Sequence, residues 1–294
     1  MLRGREAASG AAMALTSSII RAWRRLPFTP DPKPTVAVVR LAGVIASDAR
    51  PGRGGISAEG AEKPLAKAFA SKPERVVVAI NSPGGAPAQS RMVHDRIRAL
   101  AVKHELPVTT YIEDVGASGG YMIALSGDEI LADPFAIVGS IGVISASFGF
   151  QDAIQRLGIE RRVHTAGENK SQLDPFRPEE SDDVGRLEDL LTKSHKLFVA
   201  MVEDRRAGKV TTTEDVFDGR FWLAGDALDL GLIDGIGDLR TVLKDRYGDD
   251  VRIKAYDEKK SGLIGRLLAG GIAAGAEALL AALERRALWA RVGR

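Results

Sequence analysis

The run RVVVAI at residues 75–80 narrows the folding options of this chain more than any other stretch. It is β-branched and apolar without alternation, so both of its faces have to be covered, as in a central strand of a parallel sheet. The flanking segments agree with that reading. TVAVVRLAGVI (35–45) reads as a strand, a short helix follows at about 61–70, and NSPGG turns the chain into a helix at 87–104. PVTTYIED then returns as a strand, and a short helix runs from about Gly119 to Leu125. Strands are expected at EILADP, at GSIGVISAS and at 159–165, with a helix to about Leu157 between the last two. One long helix is expected over 178–207, and shorter ones at 223–230 and 237–247. The body therefore reads as one α/β domain of alternating strands and helices.

Composition bounds the function classes. With 45% hydrophobic and 27% charged residues the chain reads as an ordinary globular protein. A net charge of +2 gives no global field for nucleic acid, so no nucleic-acid partner is expected. The absence of cysteine excludes disulfides, thiolate catalysis and cysteine-type zinc sites. Basic residues concentrate at the ends. Arg3, Arg5, Arg21, Arg24 and Arg25 mark a leader that ends in the Pro-rich PDPKP, giving an expected division into a leader (1–34), a central domain (35–257) and a tail (258–294). AASGAAMALTSSII resembles a signal segment, but RAWRR stands where a cleavage site should lie, so no cleaved signal peptide is expected. No run reaches the roughly 18 apolar residues of a spanning helix. The Ala/Leu/Gly-rich tail with Trp289 reads either as an amphipathic helix on a membrane surface or as an oligomerisation helix.

Three Gly-rich turns follow expected strands: NSPGG (81–85), GASGG (116–120) and GSIG (139–142). In an α/β sheet the carboxyl ends of strands form the ligand crevice, so the three turns could line one site. None matches a dinucleotide or phosphate-loop pattern. Gly85 and Gly119 lack a Cβ, which lets their N–H groups approach a ligand as oxyanion donors; the plainer alternative is tight turns and close packing. Ser118 is either a helix cap or a nucleophile. A serine nucleophile needs a base. His94 and His104 read as surface positions, His195 lies in the long polar helix, and only His164 is placed for a triad. Lys170, in AGENKSQLDPF, should reach the same end of the sheet. As a base it would have to be buried and neutral, with Ser140 as acceptor; on spacing alone it reads better as an exposed lysine.

Taken together, NSPGG, ASGGYMIAL, GSIGVI, AGENKS and DGRFWLAGDALDLGLIDGIG occur in an order that resembles the signal peptide peptidase A family of serine proteases, over roughly residues 35–245. The resemblance implies a Clp protease/crotonase-like fold of repeated ββα and βαβ units. It also implies a Ser–Lys dyad of Ser118 and Lys170, with Ser140 assisting the lysine and the N–H groups of Gly85 and Gly119 as oxyanion hole. No metal or cofactor is expected. Family members cleave short apolar peptides such as signal-peptide remnants and form rings, so peptide substrates, a homo-oligomeric ring and association with a bacterial inner membrane are expected here. Three departures stand out: no clear N-terminal anchor, a single-length chain, and Asn169 before the lysine. Two other readings compete. One is a crotonase-type acyl-CoA enzyme, for which Glu113 and Asp114 are the nearest carboxylates, and the other is a non-catalytic membrane scaffold acting through residues 262–294.

Overall fold

The computed structural model describes residues 33–49, 55–210, 214–257 and 286–293. The leader and most of the tail (258–285) lie outside the described residues, so the expected division at 34 and 257 stands as read from sequence.

The strands are β1 (Thr35–Ala42), β2 (Arg75–Ser82), β3 (Val108–Ala117), β4 (Glu129–Ala132), β5 (Ile137–Gly139), β6 (Phe221–Leu223), β7 (Gly235–Ile236) and β8 (Arg252–Ala255). The helices are α1 (Ala58–Ala70), α2 (Pro87–His104), α3 (Gly119–Ala124), α4 (Gln151–Arg156), α5 (Ser181–Arg205), α6 (Ala224–Asp229) and α7 (Leu239–Tyr247). Local chemistry sets several of these boundaries. Ser57 caps α1 by accepting from Gly60 N–H at 3.2 Å, and Pro87 opens α2 where its missing N–H costs nothing. Gly231 ends α6 in a Schellman motif, with Leu232 N–H bonding Ala227 O at 2.8 Å and Gly231 N–H bonding Leu228 O at 2.9 Å.

The strands form one sheet in the order β6-β5-β3-β2-β1-β8, with β4 and β7 branching from β3. Every pairing is parallel except β5 with β6. β3 is where the sheet forks. Its first half (Thr109–Ile112) pairs with β4, and its last residues (Val115–Ala117) pair with β5. Ser118 therefore leaves the sheet beside the end of β5, which is what brings two of the Gly-rich turns together.

β2 meets the sequence expectation: from Val76 to Ser82 every residue is buried. Its even-numbered side chains join Leu65, Phe69, Ile97, Tyr121 and Phe198 in the main core beneath α1, α2, α3 and α5. On the opposite face Val77 packs with Val36, Tyr111, Leu131 and Leu243 beneath α7. Tyr121 is fully buried, and its hydroxyl donates to Leu232 O at 2.7 Å, pinning α3 to the turn after α6.

Two expected strands are corrected. GSIGVISAS is strand only as far as Gly139, and residues 159–165 form no strand. The edge of β5, where 159–165 would have to pair to reach the site, is taken by β6 through Ile137–Leu223, Val138–Trp222 and Gly139–Phe221. Ile159 and Val163 are left exposed. His94 is corrected as well: it is buried on α2, and that burial lowers its pKa against the opposing pull of Asp95, whose Oδ1 lies 2.9 Å from Nδ1.

Candidate active site

The site grows from the end of β3. Ser118 follows Ala117, donates its N–H to Gly139 O at 2.8 Å, and accepts from Met122 N–H at 3.0 Å as α3 begins. Its backbone is held at φ 51° and ψ −120°, a conformation a non-glycine residue adopts only when its surroundings impose it, at a cost of roughly 1–3 kcal/mol. The side chain makes no capping hydrogen bond. Of the two sequence readings of Ser118, cap or nucleophile, the capping role is not realised.

NSPGG lies directly against this turn. Ile45 N–H bonds Gly84 O at 2.8 Å and Ala86 N–H bonds Ile45 O at 2.8 Å, so the loop is stapled to the segment after β1 and Gly85 N–H is left out of the pairing. Gly85 has φ +142°, and a Cβ there would collide with the Ile45 carbonyl, so only glycine fits. A Cβ on Gly119 would lie 3.4 Å from Gly85 N, which puts the two backbones at one spot. Neither the Gly85 nor the Gly119 N–H donates to any acceptor among the described residues. Such a pair of free amides is the equipment of an oxyanion hole.

Ser140 stands beside them because β5 pairs with β3. It also has a positive φ, 53°, and its N–H donates to Arg220 O at 2.6 Å. Ser118, Gly85, Gly119 and Ser140 share one cavity of about 470 Å³. The rest of its wall is mostly apolar: Met122 from α3, Leu197, Phe198 and Met201 from α5, Phe221 from β6, and Leu288 and Val292 from the tail. Among the described residues its charged lining side chains are those of Arg91 and Arg291, with no carboxylate.

Lys170 is not brought to this cavity. It lies exposed in the turns after Gly167, its N–H bonded to Gly167 O at 3.2 Å, and does not line the wall. The histidines do not replace it. His164 is exposed, and His195 Nε2 lies 3.1 Å from Ile141 O. Glu113 is held by Arg40 and Asp114 accepts from Asn81 at 2.5 Å, and neither reaches the cavity. Sequence reading missed the apolar wall. The spacing of Leu197, Phe198 and Met201 on α5 marks an apolar stripe, but nothing in it says that the stripe faces Ser118.

Comparison with known proteins bears on this geometry. The profile of peptidase family S49 matches residues 101–249, half of the chain and the part that holds Ser118, Ser140 and Lys170. The chain belongs to peptidase family S49. Among relatives of this S49 chain, a Brucella abortus protein named Na(+)/H(+) antiporter NhaA is 49% identical over 271 residues, covering 88% of this chain and 37% of its own length. A putative protease of Methanocaldococcus jannaschii is 32% identical over 169 residues (58% of this chain, 54% of that protein). The probable protease SohB of Buchnera aphidicola is 31% identical over 189 residues (64% and 53%). The S49 chain thus spans just over a third of the antiporter-named relative and about half of the other two. Among solved structures, a membrane-bound stomatin-specific protease, a lysine-to-alanine mutant in complex with a substrate peptide, superimposes with a TM-score of 0.50 at 14% identity, covering 81% of this chain and 97% of that one. The α/β fold expected from the motifs is the fold found. No helix among the described residues is long and apolar enough to cross a membrane.

Proposed function

We propose that the chain is a serine peptidase that cleaves short apolar peptides, with Ser118 as nucleophile and Lys170 as general base. One observation carries the reading: a serine on a strained turn, its hydroxyl unused as a cap, opens into an apolar cavity beside two free backbone N–H groups. In the proposed reaction neutral Lys170 takes the Ser118 proton as Oγ attacks a peptide carbonyl. The N–H groups of Gly85 and Gly119 hold the oxyanion, and the lysine passes its proton to the leaving amine. Water then releases the acyl group from Ser118, with Lys170 again as base. Ser140 is assigned to orient the lysine ammonium, since it lines the cavity that holds Ser118.

This assignment requires Lys170 to leave its exposed place. It rides on an arm, residues 143–180, in which Ile144, Phe148, Phe150, Leu157, Ile159 and Val163 are all exposed. An exposed apolar row of this kind needs a covering surface, and a second copy of the chain would supply one. The expected homo-oligomeric ring is therefore the state in which we place the active dyad. Attachment to a membrane through the tail remains part of the proposal, and the membrane-bound solved neighbour is consistent with it. The apolar wall built by α3, α5 and β6, through Met122, Leu197, Phe198, Met201 and Phe221, favours peptides of leucine, alanine and similar residues over charged ones. Cleavage of apolar fluorogenic peptides in preference to acidic and basic ones is expected. A preference for charged peptides, or undiminished cleavage by folded Ser118→Ala, would overturn the reading. Nothing favours the acyl-CoA alternative, because Glu113 and Asp114 are engaged elsewhere.

A further inference from the structure

The tail returns to the site. Residues 286–290 are helical and 291–293 form turns, and this segment packs on the sheet face at the end of β3. Val292 is only 5% exposed and joins Val115 and Ala117, the last residues before Ser118, with Trp289 and Ile137 around them. Arg286, Ala287 and Ala290 of the same segment are exposed, so the burial is confined to one side. Leu288 and Val292 also line the cavity that holds Ser118 and Gly119.

We propose that residues 286–293 are a built-in plug: in the resting protein they occupy part of the peptide cleft beside Ser118, and a substrate must displace them. The inference rests on the peptidase reading of that cleft. The segment is shaped to block it rather than to be cut. Its backbone bonds to itself, Arg291 N–H to Ala287 O at 3.1 Å, Val292 N–H to Trp289 O at 3.1 Å and Gly293 N–H to Ala290 O at 3.1 Å. No extended peptide bond is thereby offered to the serine. A plug of this kind takes the competent state out of the population, so apparent affinity for substrate falls by the unplugged fraction while the turnover of bound substrate is untouched.

The chain has no cysteine, which permits a direct test. Val292→Cys and, as exposed reference, Ala287→Cys are made on a Ser118→Ala background, and the rate of labelling by a small thiol reagent is followed. The Val292→Cys thiol is expected to react at least about tenfold more slowly than the reference, because it is reached only through local opening. A saturating hexapeptide of leucine and alanine should bring the two rates together. Equal rates without peptide would show that the segment is not seated, and protection that persists with peptide would show that it packs without blocking; either overturns the plug. In the Ser118-containing protein, Leu288→Asp is expected to lower KM severalfold with kcat unchanged, and an unchanged or raised KM counts against it. If the peptide deprotects the thiol yet no variant hydrolyses it, the plug stands and the peptidase reading fails.

Discussion

At Ser118 the chain accepts a backbone conformation that serine disfavours, and the neighbouring residues show what imposes it. The N–H is tied to Gly139, Gly120 and Gly119 leave room for Ser82 and Ser90, and Gly84 lies so close that a Cβ there would come within 2.8 Å of the Ser118 Cβ. The turn is a packed junction of three loops. Gly85→Ala is accordingly expected to damage both stability and site, since a methyl group would meet the Ile45 carbonyl and displace a proposed oxyanion donor. A loss of about 3 kcal/mol in denaturant unfolding, with a fall in activity beyond that explained by unfolding, is the expected outcome. A variant as stable as the parent would mean that Gly85 is not held as described. The motifs made Ser118, Gly85, Gly119 and Ser140 legible because each combines a small residue with a strand end. They could not say where Lys170 lies, because AGENKS has no strand partner to fix it.

Among the elements, α3 and the turn after α6 carry the polar pairing on which the site rests. Tyr121→Phe removes the one hydroxyl that satisfies Leu232 O, at an expected cost of about 1–2 kcal/mol in chemical unfolding while peptide cleavage is retained. Nearby, Asp234 is held by Arg206 at 2.8 Å, Lys209 at 2.7 Å and the N–H of Ile130 at 2.8 Å. Burial pushes its carboxyl up, but these bonds outweigh burial and bring its pKa down to about 2. A folded pKa below the unfolded value means stability that is present above about pH 4 and lost as pH falls toward 2. The stability of Asp234→Asn measured from pH 6 to pH 2 should lack that acid-dependent part, roughly 2 kcal/mol in the parent, and an identical slope in both proteins would contradict the assignment. Helix α2 was legible to the residue because Pro87 opens it and NSPGG precedes it. The strand expected at 159–165 was not there, since apolar spacing is a local signal while pairing depends on which edge is free. β6, three residues of DGRFWLAGDALDLGLIDGIG at the start of an expected helix, took that edge.

For the whole molecule, the separation of Ser118 from Lys170 is the property with the largest consequence. The arm 143–180 exposes phenylalanine, leucine and isoleucine side chains that an isolated chain has no reason to leave in water. Mass in solution should therefore be a multiple of 31.4 kDa. If the lysine of one copy serves the serine of another, mixing inactive Ser118→Ala with inactive Lys170→Ala should recover part of the parental activity after subunit exchange. Recovery of none would place both residues in one copy, brought together by movement of the arm.

The central claim is that Ser118 and Lys170 act as one catalytic unit. Its most direct measurement is steady-state cleavage of an apolar fluorogenic peptide by the parent, Ser118→Ala and Lys170→Ala, each at matched oligomeric state. The account predicts that either substitution lowers kcat/KM at least about a thousandfold, with folding intact. Equal rates in all three proteins, or full activity in Lys170→Ala, would contradict it.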